Sequence, residues 1–321
     1  MDRLGIGLWG GMSVDGLVRT IGLAEDCGYE SAFVIESFGD PFALLAGCAA
    51  TTHRIRLGTG VATVFTREPE TTVRAATTLS ALTGGRFVLG LGVGHPEIHA
   101  VRDDVDRTRP APFTGPLGRL RQVTELMRAS APEVPIWLGV LHPQALELAG
   151  ELADGVISLF LPVDRIPAVR AAIARGARRA GRDPDAVTLA AYLPVCVDDD
   201  LEVARLAMRH HVGTSLASYG YYRQHFAAIG LGGLVEQARI EASSAMSALP
   251  DERLCSLIDD ATLDRLVLSG PAGRCRDGIE RYRQAGLDLP VVYPVDSGFR
   301  GYRPGLDVEA AIRAAASSLS R

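Results

Sequence analysis

Along most of the chain, short apolar runs alternate with longer stretches in which apolar residues return every three or four positions. A short apolar run bounded by turn residues marks a buried strand, and the three-to-four spacing marks a helix with one buried face. Residues 54–94, RIRLGTGVATVFTREPETTVRAATTLSALTGGRFVLGLGVG, show the unit most clearly. Residues 55–57 and 60–63 read as a buried strand with a glycine interruption, and Glu68-Pro69 opens a helix with proline in its first turn. Val73, Ala76, Leu79 and Leu82 then share one helical face. Gly84-Gly85 ends the helix, since glycine accepts the left-handed conformation helix ends need, and a new strand covers 87–91. Two strands joined through a helix run parallel.

The same unit recurs in both directions. A strand is predicted over 5–9, then a helix from Val14 capped by Ser13 and closed by Gly28, a strand over 31–36 and a helix over 41–52. After the central unit, residues 95–115 carry several prolines and acidic residues without apolar period and read as an irregular insertion. Helix 116–131, strand 135–140, helix 143–153, strand 155–161, helix 165–180 and strand 188–197 follow, completing seven strands. The eighth repeat is interrupted: from 201 to about 268 the pattern is helical, broken at 218–220 and 230–233, before helix 271–285, a last strand over 290–295 and a terminal helix over 308–319. One domain, 1–321, is expected, with insertions at about 95–115 and 218–268, after the fourth and seventh strands. The fold class is α/β, either a closed (β/α)8 barrel or an open doubly wound sheet, which use the same local signals. Residues 95–115 and 218–233 are long and weakly periodic, and are expected to fold over the barrel rim as lids.

Composition narrows the function. A hydrophobic share of 47% is enough for a large core, and no apolar run reaches the roughly 18 residues a membrane span needs. With no signal-like start either, a cytoplasmic protein is expected. A net charge of −5 provides no basic field, so small molecules rather than nucleic acid are the expected partners. A homodimer is the expected assembly. Cys27, Cys48, Cys196, Cys255 and Cys275 are odd in number and never form CxxC, which fits packed thiols better than disulfides or zinc. All 33 basic residues are arginine; without lysine, imine chemistry of the aldolase kind is excluded.

LGTGVA at 57–62, TREP at 66–69, GGRFVLGLGVG at 84–94 and ELADG at 151–155 together resemble the luciferase-like monooxygenase superfamily, especially the branch that uses the deazaflavin coenzyme F420. The similarity runs with gaps from about Gly5 to Pro294. It implies the TIM barrel and an oxidoreductase passing hydride between deazaflavin C5 and a small organic substrate. The alternatives on the same fold are a two-component FMN-dependent monooxygenase and a flavin-binding relative without activity. It also implies that Gly60, Val61 and Ala62 form a bulge with a non-proline cis peptide against which the ring system rests. Gly92 and Gly94 then let backbone approach the ring, and Gly139, Val140, Leu141, His142 and Pro143 form the turn that leads to the cofactor phosphate. Two departures stand out. Glu36-Ser37 occupies a place where several relatives have Asp-His, and His142 replaces a glycine.

Three further patterns bear on chemistry. GLGVG at 90–94 lacks the third glycine of GxGxxG and is followed by HPEIH rather than a helix, so a Rossmann site is not expected. His95, Glu97 and His99 have the i, i+4 histidine spacing of a metal helix, but Pro96 opposes helix there, and no metal is expected. His95 instead follows the fourth strand directly and is the candidate proton donor, since an imidazole titrates near neutral pH. Glu36 is the candidate group that orients ring or substrate. The cluster His210, His211, Tyr219, Tyr221, Tyr222, His225 and Phe226 either lines a pocket for a hydrophobic substrate or packs a subunit interface.

Overall fold

The computed structural model describes residues 3–95, 115–244, 252–300 and 308–317. The insertion expected at 95–115 therefore lies, apart from its two ends, outside the described residues, as do Glu97 and His99.

Strand and helix alternate as β1 (Gly5–Trp9), α1 (Val14–Asp26), β2 (Ser31–Ile35), α2 (Pro41–Ala49), β3 (Arg56–Thr59), β4 (Ala62–Thr63), α3 (Pro69–Leu82) and β5 (Phe87–Gly92). They continue as α4 (Pro116–Ser130), β6 (Ile136–Gly139), α5 (Pro143–Leu152), β7 (Gly155–Leu159), α6 (Ile166–Arg179) and β8 (Thr188–Val197). Helix starts follow the sequence signals: Ser13 accepts from the Gly16 N–H, and Asp40 accepts from the Phe42 and Ala43 N–H groups ahead of Pro41.

All pairings among the described residues are parallel, and the sheet closes on itself because β10 (Leu289–Pro294) lies between β8 and β1, with Leu289 beside Ala190 and Gly5 beside Val291. The result is an eight-stave TIM barrel in which β3 and β4 share one stave. That stave is bulged. Gly58 stands beside Val88 and Ala62 beside Leu91, so four steps on one strand match three on β5. Successive side chains of each strand alternate between the barrel interior, filled by Phe33, Val88, Trp137, Ile157 and Tyr192, and an outer apolar layer against the helices.

The interrupted eighth repeat holds α7 (Leu201–Ser218), α8 (Gly220–Phe226), a π-turn (Ala227–Leu231), α9 (Gly232–Ser244), α10 (Glu252–Ser256) and α11 (Asp260–Leu266). These helices pack a separate apolar cluster around Phe160, Met208, Leu216 and Phe226 at the end of the barrel where strands finish. The helical stretch expected to about 268 ends at Leu266, and the strand that follows it was not expected from the sequence. Leu268–Gly270 forms a short strand, β9, which extends β8 by pairing Val195–Val197 with Leu268–Gly270. Three residues are too few to show a period of two. α12 (Ala272–Gln284) and α13 (Glu309–Ala316) complete the ring. All five cysteines are free thiols, and among the described residues no helix is long and apolar enough to cross a membrane.

Helices α5 and α6 touch backbone to backbone. A Cβ on Gly176 would stand 1.8 Å from the Glu147 carbonyl oxygen, and one on Gly150 would stand 2.1 Å from that of Ile173. Only glycine allows this approach.

Candidate active site

The bulged stave builds a wall at the C-terminal rim. Thr59 locks it to β5, its hydroxyl donating to the Gly90 carbonyl at 2.7 Å and accepting from the Gly90 N–H at 2.9 Å. The next peptide, Gly60–Val61, is cis. Both sides of it are held by side chains from other staves. Tyr192, from β8 across the barrel, donates its hydroxyl to the Gly60 carbonyl at 3.0 Å. Glu36, one residue past β2, accepts from the Thr63 N–H at 2.8 Å and the Thr66 hydroxyl at 3.1 Å. Arg67 completes the brace, donating to Glu36 at 2.9 Å and to Asp40 at 2.6 Å with its guanidinium over the Phe42 ring.

Glycines make room for these groups. A Cβ on Gly60 would fall 1.8 Å from the Tyr192 hydroxyl, and one on Gly7 2.0 Å from its ring. Val61 is seated where Gly92 and Gly139 lack side chains, whose Cβ atoms would come within 2.4 and 2.7 Å of it. Burial of Tyr192 pushes its phenol well above the usual range, so it stays protonated and donates.

In front of this wall lies a cavity of about 330 Å3, within the size range of cofactor sites. Its sides are Ile35, Val93, Leu117, Val140 and Ile157, and Tyr221 and Tyr222 of α8 stand over it. At one end α5 begins. His142 occupies its N-cap position without a side-chain capping bond, leaving the first backbone N–H groups of the helix for a ligand. The His142 Nε2 atom is buried with no hydrogen-bond partner among the described residues, and burial lowers its pKa, which keeps the ring neutral. Nearby His225 is tied differently: its Nε2 lies 2.9 Å from the Phe160 carbonyl, so that nitrogen carries the proton.

A second chamber of about 190 Å3 adjoins the first. Ile35, Glu36, His95, Leu159, Tyr192 and Tyr222 line both. His95 is held among α8-side aromatics, with ring centroids 4.4 Å from Tyr219 and 4.7 Å from Tyr222. Among the described residues no cluster of His, Cys, Asp and Glu suits a metal ion.

The family model described as luciferase-like monooxygenase matches residues 4–133 and 117–289. The chain belongs to the luciferase-like monooxygenase family. It is 28% identical over 317 residues to an F420-dependent glucose-6-phosphate dehydrogenase of Nocardia farcinica, covering 86% of this chain and 87% of the relative. It is 33% identical over 207 residues to a 5,10-methylenetetrahydromethanopterin reductase of Methanolobus tindarius, a match spanning 58% of this chain and 62% of that reductase. In fold it resembles the coenzyme F420-dependent tetrahydromethanopterin reductase of Methanopyrus kandleri, with a TM-score of 0.80, 23% identity and coverage of 99% and 98%.

In this luciferase-like barrel, Glu36, Gly60, Val61, Gly92, Gly94, His95, Gly139, Val140, Leu141 and His142 all line the larger cavity. Two expected residues do not. Ala62 is 1% exposed and belongs to the outer layer, because strand alternation after the bulge sends it away from the cavity and brings Thr63 in. Pro143 opens α5, while its neighbours Gln144 and Ala145 reach the cavity. Tyr192 and Arg67 escaped the sequence reading. A lone tyrosine in the apolar run LAAYLPV was the available sign, since a buried phenol needs a partner. The arginine of TREP was the other: a buried carboxylate is kept only with a paired charge.

Proposed function

We propose that this protein is an oxidoreductase that holds coenzyme F420 in the larger cavity and passes hydride between its C5 and an organic substrate. The observation that carries the proposal is the braced Gly60–Val61 wall, pinned by Tyr192 and Glu36 and facing a ring-sized apolar space that ends at a helix N-terminus. The naming of F420 in relatives that cover most of the chain supports the same cofactor here.

The residues fit such a group. Val61, backed by Gly92 and Gly139, offers a flat apolar surface to the ring system. The free N–H groups and partial positive charge at the start of α5, with the unpartnered His142 Nε2 beside them, suit the phosphate. When bound, F420 supplies the carbon that carries the hydride, and the chain supplies position and protons. Tyr221 and Tyr222 shield the space from water. Glu36, with its oxygens turned to Arg67, Thr63 and Thr66, holds the wall in place. His95, facing both chambers, gives its imidazole proton to the substrate atom beside the carbon that accepts hydride, and takes it back in the reverse direction.

FMN shares the ring shape and the phosphate, so the test is a comparative equilibrium titration of purified protein. F420 is expected to bind at least about tenfold more tightly than FMN, a difference of about 1.4 kcal/mol. The reverse order identifies an oxygenase instead, and a bound cofactor without turnover over a broad substrate panel identifies a binding protein.

A further inference from the structure

The smaller chamber has its own chemistry. At about 190 Å3 it exceeds the roughly 150 Å3 that accommodates a benzene ring. Trp9, Tyr219, Tyr222, Tyr293 and Phe299 supply aromatic walls, which favour a flat guest packed by offset or edge contacts. Among the described residues that line it there is no arginine, and its one carboxylate, Glu36, is ion-paired with Arg67. The one cation the chamber could offer is His95, whose proton goes to the substrate in the reaction, so a charged guest would lose its hydration there without a lasting counter-charge to replace it.

The polar groups on the walls are mostly committed. The Thr214 hydroxyl donates to the His210 carbonyl at 2.7 Å and the Ser215 hydroxyl to the His211 carbonyl at 3.2 Å, both within α7. His211 differs. Its ring lies 5.6 Å from Tyr293 and 5.9 Å from Phe299, and its Nε2 is buried with no hydrogen-bond partner among the described residues. Buried polar atoms are nearly always satisfied, so an unpartnered one on a residue that lines a cavity points to a ligand. Burial pushes this imidazole down to about 4, so at neutral pH it offers one N–H and one lone pair without charge.

We propose that the smaller chamber is the substrate site and selects an uncharged, ring-bearing molecule whose polar group is hydrogen-bonded by His211. The inference rests on the cofactor occupying the larger cavity, which leaves the smaller one for the substrate. A carbonyl oxygen accepting from the His211 N–H, or a hydroxyl donating to its lone pair, satisfies the geometry equally.

The test uses two probes of nearly equal size, neutral acetophenone and anionic benzoate, titrated calorimetrically into the intact protein and into His211→Phe and His211→Asn. Acetophenone is expected to bind at least about tenfold more tightly than benzoate. His211→Phe keeps the ring packing but removes the hydrogen bond, and should weaken acetophenone about tenfold; His211→Asn keeps a donor and should stay within about threefold. Equal binding of the two probes, no acetophenone binding at millimolar concentration, or an unchanged affinity in His211→Phe overturns the proposal. The comparison in the unaltered protein stands even if a variant fails to fold. F420 titrated into the same samples separates the two layers: F420 binding without probe selectivity removes only the substrate inference, and probe selectivity without F420 binding removes only the cofactor proposal.

Discussion

Replacement of His95 by alanine is expected to lower the turnover number by a factor on the order of 10²–10⁴, the usual contribution of a positioned acid or base. Cofactor affinity should change by less than about threefold. The expectation comes from position. His95 lies just past β5, three residues beyond Gly92, and its ring lines both chambers while Tyr219 and Tyr222 fix its orientation. The other histidines near the site are assigned by their surroundings: His225 to the Phe160 carbonyl, His142 to the start of α5, and His211, which burial pushes down to about 4 and so keeps neutral, to hydrogen bonding rather than proton donation. Steady-state kinetics together with a cofactor titration decides the matter. A turnover number within a factor of about three of the parent removes His95 from the proton step, and lost cofactor affinity alone makes it a binding residue.

The second large effect concerns stability and lies far from the chemistry. Gly176→Ala should destabilise the barrel by about 2 kcal/mol and lower its melting temperature by several degrees. Alanine is the better helix former by about 0.5–1 kcal/mol, but here its methyl meets backbone rather than a movable side chain. The Glu147 carbonyl cannot swing aside, so α5 and α6 must separate and lose the close packing between Gly150 and Gly176. Gly22→Ala in α1 is the control: nothing lies within 4 Å of its Cβ position, and that variant should melt at the same or a higher temperature. Thermal unfolding of both variants checks the argument, and a Gly176→Ala protein as stable as the parent refutes it.

Much of the fold was legible because the punctuation is local. Pro69, Gly84-Gly85 and Pro143 mark helix ends that depend only on neighbouring backbone, and each lies where it was expected. Barrel closure was not local. It rests on β10 pairing with both β8 and β1, across most of the chain, and the resemblance rather than the pattern favoured it. β9 went unseen because a three-residue strand has no measurable period.

The site divides in the same way. The glycines that admit Val61 could be read from LGTGVA and GLGVG, and the cis peptide expected from the resemblance lies between Gly60 and Val61. What holds them could not be read. The Tyr192 contact with Gly60 spans 132 residues, and the Arg67 contact with Glu36 spans 31. The bulge also shifted the alternation by one step, which is why Thr63, not Ala62, faces the cavity. Likewise the aromatic insertion was expected either to line a pocket or to pack a subunit interface, and Tyr219, Tyr221, Tyr222 and His211 line the two chambers.

The braced wall is the proposed seat of the cofactor ring. Crystals of the protein soaked with coenzyme F420 test it most directly. Difference density for the ring system against Val61, with the phosphate at the start of α5 beside His142, is the predicted result. Density elsewhere on the molecule, or an empty cavity under conditions where titration shows the protein saturated, contradicts it.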